Sequence, residues 1–412
     1  MRDEEHRYDT APINVGKHLL PEEKKPFSGP FRERRVPRWV YRIIVILALS
    51  ALAVLAWYNR ANLTPENALQ WVQGHVVGLG IGDGFPKTIS GSSVKPMNFM
   101  SADKNIIFAS DTALIAYNST AKELLNQQHS YNSPVLKVNG SRALLYNLGG
   151  KSSEVQTIGG STLKLNTKQN ILGGALASNG RCALLTSADG YCGMMTSYTA
   201  AGQVLSYYWF SDYYPTAVAL NSDGTKAAVT GVSANNGELT SAVYIIDLSS
   251  GKTVQPSAVY TGNMLCAVFW DTDSAVAAVG DTGVSFLNPS SNTKTDISYN
   301  GSKLTAYCSD SGRLALGLAP YEGSENQKLL VLDKSGSQIL SKQINGKIQS
   351  VSLLGQTAAA LSDGKLYFQS LSSAADSGSV KDAGSDASAV ALKDEGSAYV
   401  LGISEIRFVN NR

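Results

Sequence analysis

The stretch Ala217–Gly231 reads AVALNSDGTKAAVTG. An apolar run meets Asn221-Ser222-Asp223-Gly224, residue types that cap and bend the backbone, and a second run of small and β-branched residues follows. The reading is strand, tight turn, strand. Variants recur at a spacing of about 41 residues, a period that marks a repeat architecture built from one supersecondary unit. Eight openings of this kind begin at Asn98 (NFMSADKN), Val135 (VLKVNGSR), Gly174 (GALASNGR), Ala217 (AVALNSDG), Ala267 (AVFWDTDS), Ala306 (AYCSDSGR), Ser350 (SVSLLGQT) and Ala389 (AVALKDEG).

Each opening leads to a second turn, such as Asp189-Gly190, Asp281-Thr282-Gly283 or Asp363-Gly364. A third turn, such as Asp247–Thr253 or Leu332–Gln338, then leads into an outer strand. Four short strands per repeat predict an all-β chain folded as an eight-bladed β-propeller over residues 85–412. The repeat at Ser350–Val380 departs most from the pattern, so seven blades is the alternative count. The last repeat supplies only three strands before Arg412. Its fourth is expected from Phe85–Ser90 (FPKTIS), which would close the ring and remove a free sheet edge.

Ahead of the repeats, residues 1–38 are rich in Pro, Glu, Lys and Arg without apolar periodicity, and a disordered basic tail is expected. Residues 39–59 contain the uncharged run IIVILALSALAVLAWY (Ile43–Tyr58), flanked by Trp39/Tyr41 and Trp57/Tyr58 in the manner of aromatic belts. Five arginines (Arg32, Arg34, Arg35, Arg38, Arg42) precede the run and only Arg60 follows closely. The expectation is a signal-anchor transmembrane helix in the plasma membrane, its N-terminus cytoplasmic and its C-terminal domain extracytoplasmic. Residues 60–84 are expected to be a linker with a short helix at Thr64–Gln73, capped by Thr64 with Pro65 at its first position.

The chain has 412 residues and a low charged fraction of 17 %. Residues 1–42 carry ten Lys/Arg and seven Asp/Glu, and the remainder is nearly balanced at 25 and 26. Without basic runs, the repeat region is a poor nucleic-acid surface. The spacing G-x-G-x-G-x-G in Gly78–Gly84 fits neither dinucleotide nor Walker loops, so no nucleotide is expected. The four cysteines (Cys182, Cys192, Cys266, Cys308) lack CxxC spacing and are expected to be small buried thiols, with Cys266/Cys308 the one pair worth testing for a bond.

The whole layout, a basic tail, one apolar run, a short linker and eight repeats, resembles an uncharacterised bacterial family of single-pass membrane-anchored propellers. It lies within the wider superfamily of WD-repeat-like and quinoprotein-like blades. The resemblance covers residues 30–412, rests on layout and blade rhythm, and brings no functional residues to carry over. The Trp-Asp pair of WD repeats occurs once, at Trp270-Asp271, at a different place in the blade.

Chemistry is sparse. Of four histidines only His129 lies in the repeats: a Ser-His-Asp triad would have to draw its base from that one residue and no GxSxG elbow accompanies a Ser, a His-rich metal site cannot be assembled, and His129 reads as a solvated loop residue. Most aspartates stand in turns, where they cap backbone. No catalytic residue, metal ligand or cofactor is expected; recurrent tryptophans of a quinone-binding propeller are missing. The candidate ligand-binding face is drawn from YYWFSDYYP (Tyr207–Pro215) and two enlarged second turns, Gly231–Thr240 and Ala319–Lys328. It comprises Tyr213, Tyr214, Asn235, Asn236, Tyr321 and Glu322, with Tyr321 across the channel mouth from the others. Aromatics beside amides suit glycan or peptide capture. The expected function is non-enzymatic binding or scaffolding of a protein or cell-envelope polymer. A sensor relaying occupancy to the tail and an envelope glycan hydrolase using acidic residues are the alternatives.

Overall fold

The computed structural model describes residues 38–58, 80–89, 93–160, 162–250, 254–272, 274–291, 293–372 and 378–411. The expected tail and the Thr64–Gln73 helix lie outside them. The chain forms two compact units, Met1–Tyr58 and Asn59–Arg412. The first contains one helix, α1 (Arg38–Tyr58), of 21 residues. Among the described residues, no helix is long and apolar enough to cross a membrane. The spanning segment expected over 39–59 therefore has no counterpart of that length and apolarity there.

The second unit is eight antiparallel four-stranded sheets. Their inner strands are Val94–Ala102, Pro134–Asn139, Ile171–Leu176, Tyr214–Leu220, Leu265–Thr272, Lys303–Asp310, Ile348–Leu354 and Ala389–Asp394, for blades one to eight. All eight expected openings fall on them. The repeat that departs from the pattern is a regular blade (Ile348–Leu354, Thr357–Ser362, Lys365–Ser370, Gly378–Asp382), so the count is eight and not seven.

Eight apolar clusters fill the eight seams between neighbouring blades. In the second strand of blade three, Cys182 and Leu184 pack towards blade two, whereas Ala183 and Leu185 pack towards blade four. Both faces of the strand are buried, which is why it reads as a continuous run of small apolar residues and not as an alternation. The second strand of blade five, Ala275–Gly280, is buried at all six positions for the same reason.

The closing seam joins blade eight to blade one. Phe99, Ile106, Phe108 and Tyr117 pack against Ala389, Ala391, Tyr399 and Ile406. Lys87–Thr88 forms the outermost strand of blade eight, pairing Lys87 with Ile406 and Thr88 with Glu405. The Ile89 N–H continues the ladder to the Ser404 carbonyl at 2.8 Å. The expected closure by Phe85–Ser90 is thus present. Phe85 adds ring contacts to Tyr399 (5.3 Å between centroids) and Phe408 (6.3 Å).

All four cysteines are free thiols, and the Cys266/Cys308 bond is absent. Only Cys182 is buried, so the expectation of four buried thiols is corrected; Cys266, on an inner strand, is exposed. His129 is also corrected. It is half-buried in the connection between blades one and two and stacks on Tyr131 at 5.1 Å. Its Nδ1 accepts from the Tyr131 N–H, and desolvation lowers its pKa.

Candidate binding face

Within each blade the strands alternate in direction, so first and third turns emerge on one face of the ring. Second turns and the connections between blades emerge on the other. The two faces are chemically different.

On the first-turn face, the turns are tied to one another around the ring. The Arg142 guanidinium donates to the Ser178 carbonyl (2.6 Å), the Ser178 hydroxyl to Ser222 O (2.6 Å), and Asn179 Nδ2 to Asp223 O (2.7 Å), linking blades two, three and four. Arg313 donates to Gly355 O (2.5 Å) and Thr357 to Glu395 O (3.0 Å), linking blades six, seven and eight. The Tyr399 hydroxyl then reaches Lys104 O of blade one at 2.7 Å. Aspartates here serve the local backbone. Asp247 accepts from the hydroxyl and N–H of Ser249 (2.6 and 2.9 Å), which hold its carboxyl below the usual range. Asp333 takes the corresponding bonds from Ser335.

The second-turn face carries exposed apolar side chains. Leu148, Tyr191, Tyr214, Leu239, Met264, Tyr321 and Ile403 all lie on its turns and connections or at their edges, with Ile403 80 % and Tyr321 67 % exposed. Tyr214 is exposed at the start of the inner strand of blade four, paired with Val232. Glu322 stands exposed beside Tyr321 in the blade-six turn, which the Ser324 N–H to Tyr321 O bond closes at 3.1 Å.

Three expectations about this face change. Tyr213 is half-buried, its ring set edge-on to Tyr244 at 6.2 Å, because Gly231 opposite has no Cβ to displace it. The stretch Gly231–Thr240 is not an enlarged loop. Its flanking strands run on to Asn235 and Glu238, and a two-residue turn at Asn236-Gly237 (φ 51° and 83°) joins them. Asn235 and Asn236 therefore sit at the tip of a long hairpin, three or more residues beyond Tyr214, about 10 Å at the rise of a strand. Blade six is two places from blade four in a ring of eight, so Tyr321 stands a quarter-turn away and not across the mouth.

Parity divides the aromatic run. Tyr208 and Phe210 pack into the seam with blade four, where the Tyr208 hydroxyl donates to Val254 O at 2.7 Å. Tyr207 and Trp209 point the other way from the outermost strand (Val204–Phe210) and are about half exposed. Trp209 lies 5.8 Å from Tyr207 and 6.4 Å from Tyr191, ring centre to ring centre. This three-ring cluster was legible as alternation in YYWF, but the exposed parity was not. No group of three or more His, Cys, Asp or Glu side chains that could hold a metal ion occurs among the described residues.

Among solved structures the chain is similar to Saccharomyces cerevisiae Sqt1, at 9 % identity over 81 % of this chain and 100 % of that one, with a TM-score of 0.53. It is also similar to BamB from Moraxella catarrhalis, at 10 % identity over 80 % and 97 %, with a TM-score of 0.50. At such identities the likeness concerns the fold alone. No curated protein matches the sequence. A family profile matches residues 86–376. The chain accordingly belongs to the family described as "Family of unknown function (DUF5711)".

Proposed function

We propose that this protein is a non-enzymatic binding or scaffolding protein. In this reading it displays its propeller outside the plasma membrane and takes a protein or cell-envelope polymer on the second-turn face. The observation that carries the reading is the group of exposed tyrosines and aliphatic side chains on the second-turn face, Tyr191, Tyr214, Met264, Tyr321 and Ile403 among them. Exposed apolar groups gathered on one face of a rigid scaffold favour association.

Anchoring by α1 is supported by its surface. Ile43, Ile44, Val45, Ile46 and Leu47 are each 45–63 % exposed, and five consecutive positions sweep the whole circumference of a helix. A helix apolar all round requires an apolar environment.

Photo-crosslinking in intact cells tests the assignment. Probes at Tyr214 and Tyr321 are expected to capture a common partner that a probe at Ser335, on the opposite face, does not. Equal capture from both faces, or capture from Ser335 alone, would reject it.

A further inference from the structure

The inner strands enclose an axial channel. Both faces of these strands pack against neighbouring blades, yet Met97, Leu172 and Tyr307 on three of them are 57 %, 36 % and 41 % exposed. Lys137 occupies the fourth of six positions in the inner strand of blade two. Leu136 and Val138, its neighbours, pack towards blade one. Val135 faces blade three, and Asn139 Nδ2 donates to Leu176 O of blade three at 3.2 Å. Lys137 shares their parity and therefore lies on the blade-three side of its strand, where it is exposed. It is exposed midway along its inner strand.

No carboxylate stands at the same depth. Across all eight inner strands the acidic residues are Asp271, Asp310 and Asp394, and each occupies the last or next-to-last position, at the first-turn rim. Asp394 is already paired with Lys393 at 3.2 Å and caps the Gly396 N–H at 3.0 Å. Asp310 accepts from the Gly355 N–H. Of the other inner-strand lysines, Lys393 stands at the first-turn rim with Asp394, while Lys95 and Lys303 stand at or next to the first position, towards the second-turn mouth. From that mouth to mid-depth the inner strands carry cationic residues alone.

We propose that Lys137 is the centre of an anion-binding site in the channel, taking a carboxylate or phosphate group that enters through the second-turn mouth. Desolvation by the blades lowers the Lys137 pKa, and no protein carboxylate restores it. An anion supplied from outside would satisfy the ammonium, since charge-assisted hydrogen bonds are strongest in water-poor surroundings. The site is distinct from the loops of the second-turn face, so the two assignments fail separately.

The test is calorimetric titration of the full chain in detergent with two probes, inorganic phosphate and succinate, at low and high salt. Saturable binding of at least one probe is expected below about 10 mM, and the probe that binds identifies the group. Lys137→Met should weaken it about tenfold or more, Lys137→Arg should retain it, and Lys294→Met, on an outer strand, should leave it unchanged. A urea midpoint for Lys137→Met equal to that of the parent chain establishes that the fold is intact. Should that midpoint fall, the Lys137→Arg titration and the parent titration decide. No saturable binding of either probe to the parent chain, or parental affinity in Lys137→Met, overturns the proposal.

Discussion

The closing strand lends itself to a quantitative test. Ile89 is 7 % exposed and lies in the cluster that seals blade eight to blade one. Phe85 packs partly buried on Tyr399 and Phe408. Truncating a buried Ile to Ala costs about 2–5 kcal/mol, and the partly buried Phe85 adds about 2 kcal/mol at roughly half the cost of a fully buried ring. The double variant Phe85→Ala/Ile89→Ala should therefore lose at least about 4 kcal/mol of closure, roughly a thousandfold or more in the seam's opening equilibrium. Against the 5–15 kcal/mol of a typical domain, this weakens the ring without abolishing it. Hydrogen exchange is the appropriate assay because it resolves local from global opening. Amides of Glu405–Asn410 should exchange much faster, while those of Ala227–Thr230 in blade four change far less. The urea midpoint should also fall. Unaltered protection at Glu405–Asn410 with a parental midpoint would mean that the ring stays closed without this segment, and the reasoning would be refuted.

Other expectations follow the same logic. Tyr399→Phe keeps the ring packing but strips the hydroxyl from Lys104 O, and should cost about 1–2 kcal/mol in urea unfolding. Gly231→Ala places a methyl 2.9 Å from Tyr213 Cβ, so a loss of about 1–3 kcal/mol is expected, with Tyr213 pushed outward and more readily iodinated. Because burial lowers the His129 pKa, the unfolded chain binds the extra proton first as pH falls through about 6.5. Stability should decline from that point downward, and His129→Gln should show a smaller loss between pH 7.5 and 5.5 in parallel melts. Thiol labelling of the native protein should modify Cys266 first and Cys182 last, since Cys182 is buried and its pKa is pushed up to about 12; all four should react in denaturant.

The strand–turn–strand rhythm was readable because turn chemistry is local. Asp363-Gly364 adopts positive φ at both residues (46° and 73°), as a two-residue hairpin turn requires, and the Asp-Gly pair announces it. The two strands that such a turn joins follow from the same few residues. Even the closure was legible, because a three-stranded final repeat leaves an edge that one nearby segment can fill. The blade at Ile348–Leu354 looked irregular because its first turn, Gly355-Gln356, lacks the usual Asp or Asn; its second turn and its apolar content are ordinary.

The binding face was less legible. Asn235 and Asn236 looked like loop residues, but pairing from Val232–Ser241 to Asn235–Glu238 extended the hairpin, and strand pairing depends on two segments at once. Tyr207 and Tyr208 are adjacent and chemically identical, yet one meets water and the other blade four. Parity along a strand is written in the sequence, whereas the side a neighbouring blade will cover is not.

By itself the sequence determined where each unit turns and how the ring ends meet, since these follow from short-range backbone preference and from counting strands in the last repeat. Only the tertiary structure decided that the blades number eight, which tyrosines face solvent, that Tyr321 stands a quarter-turn from Tyr214, and that Lys137 is exposed at mid-strand. Those properties arise when blades distant in sequence pack around one axis, and no local stretch of residues carries that geometry.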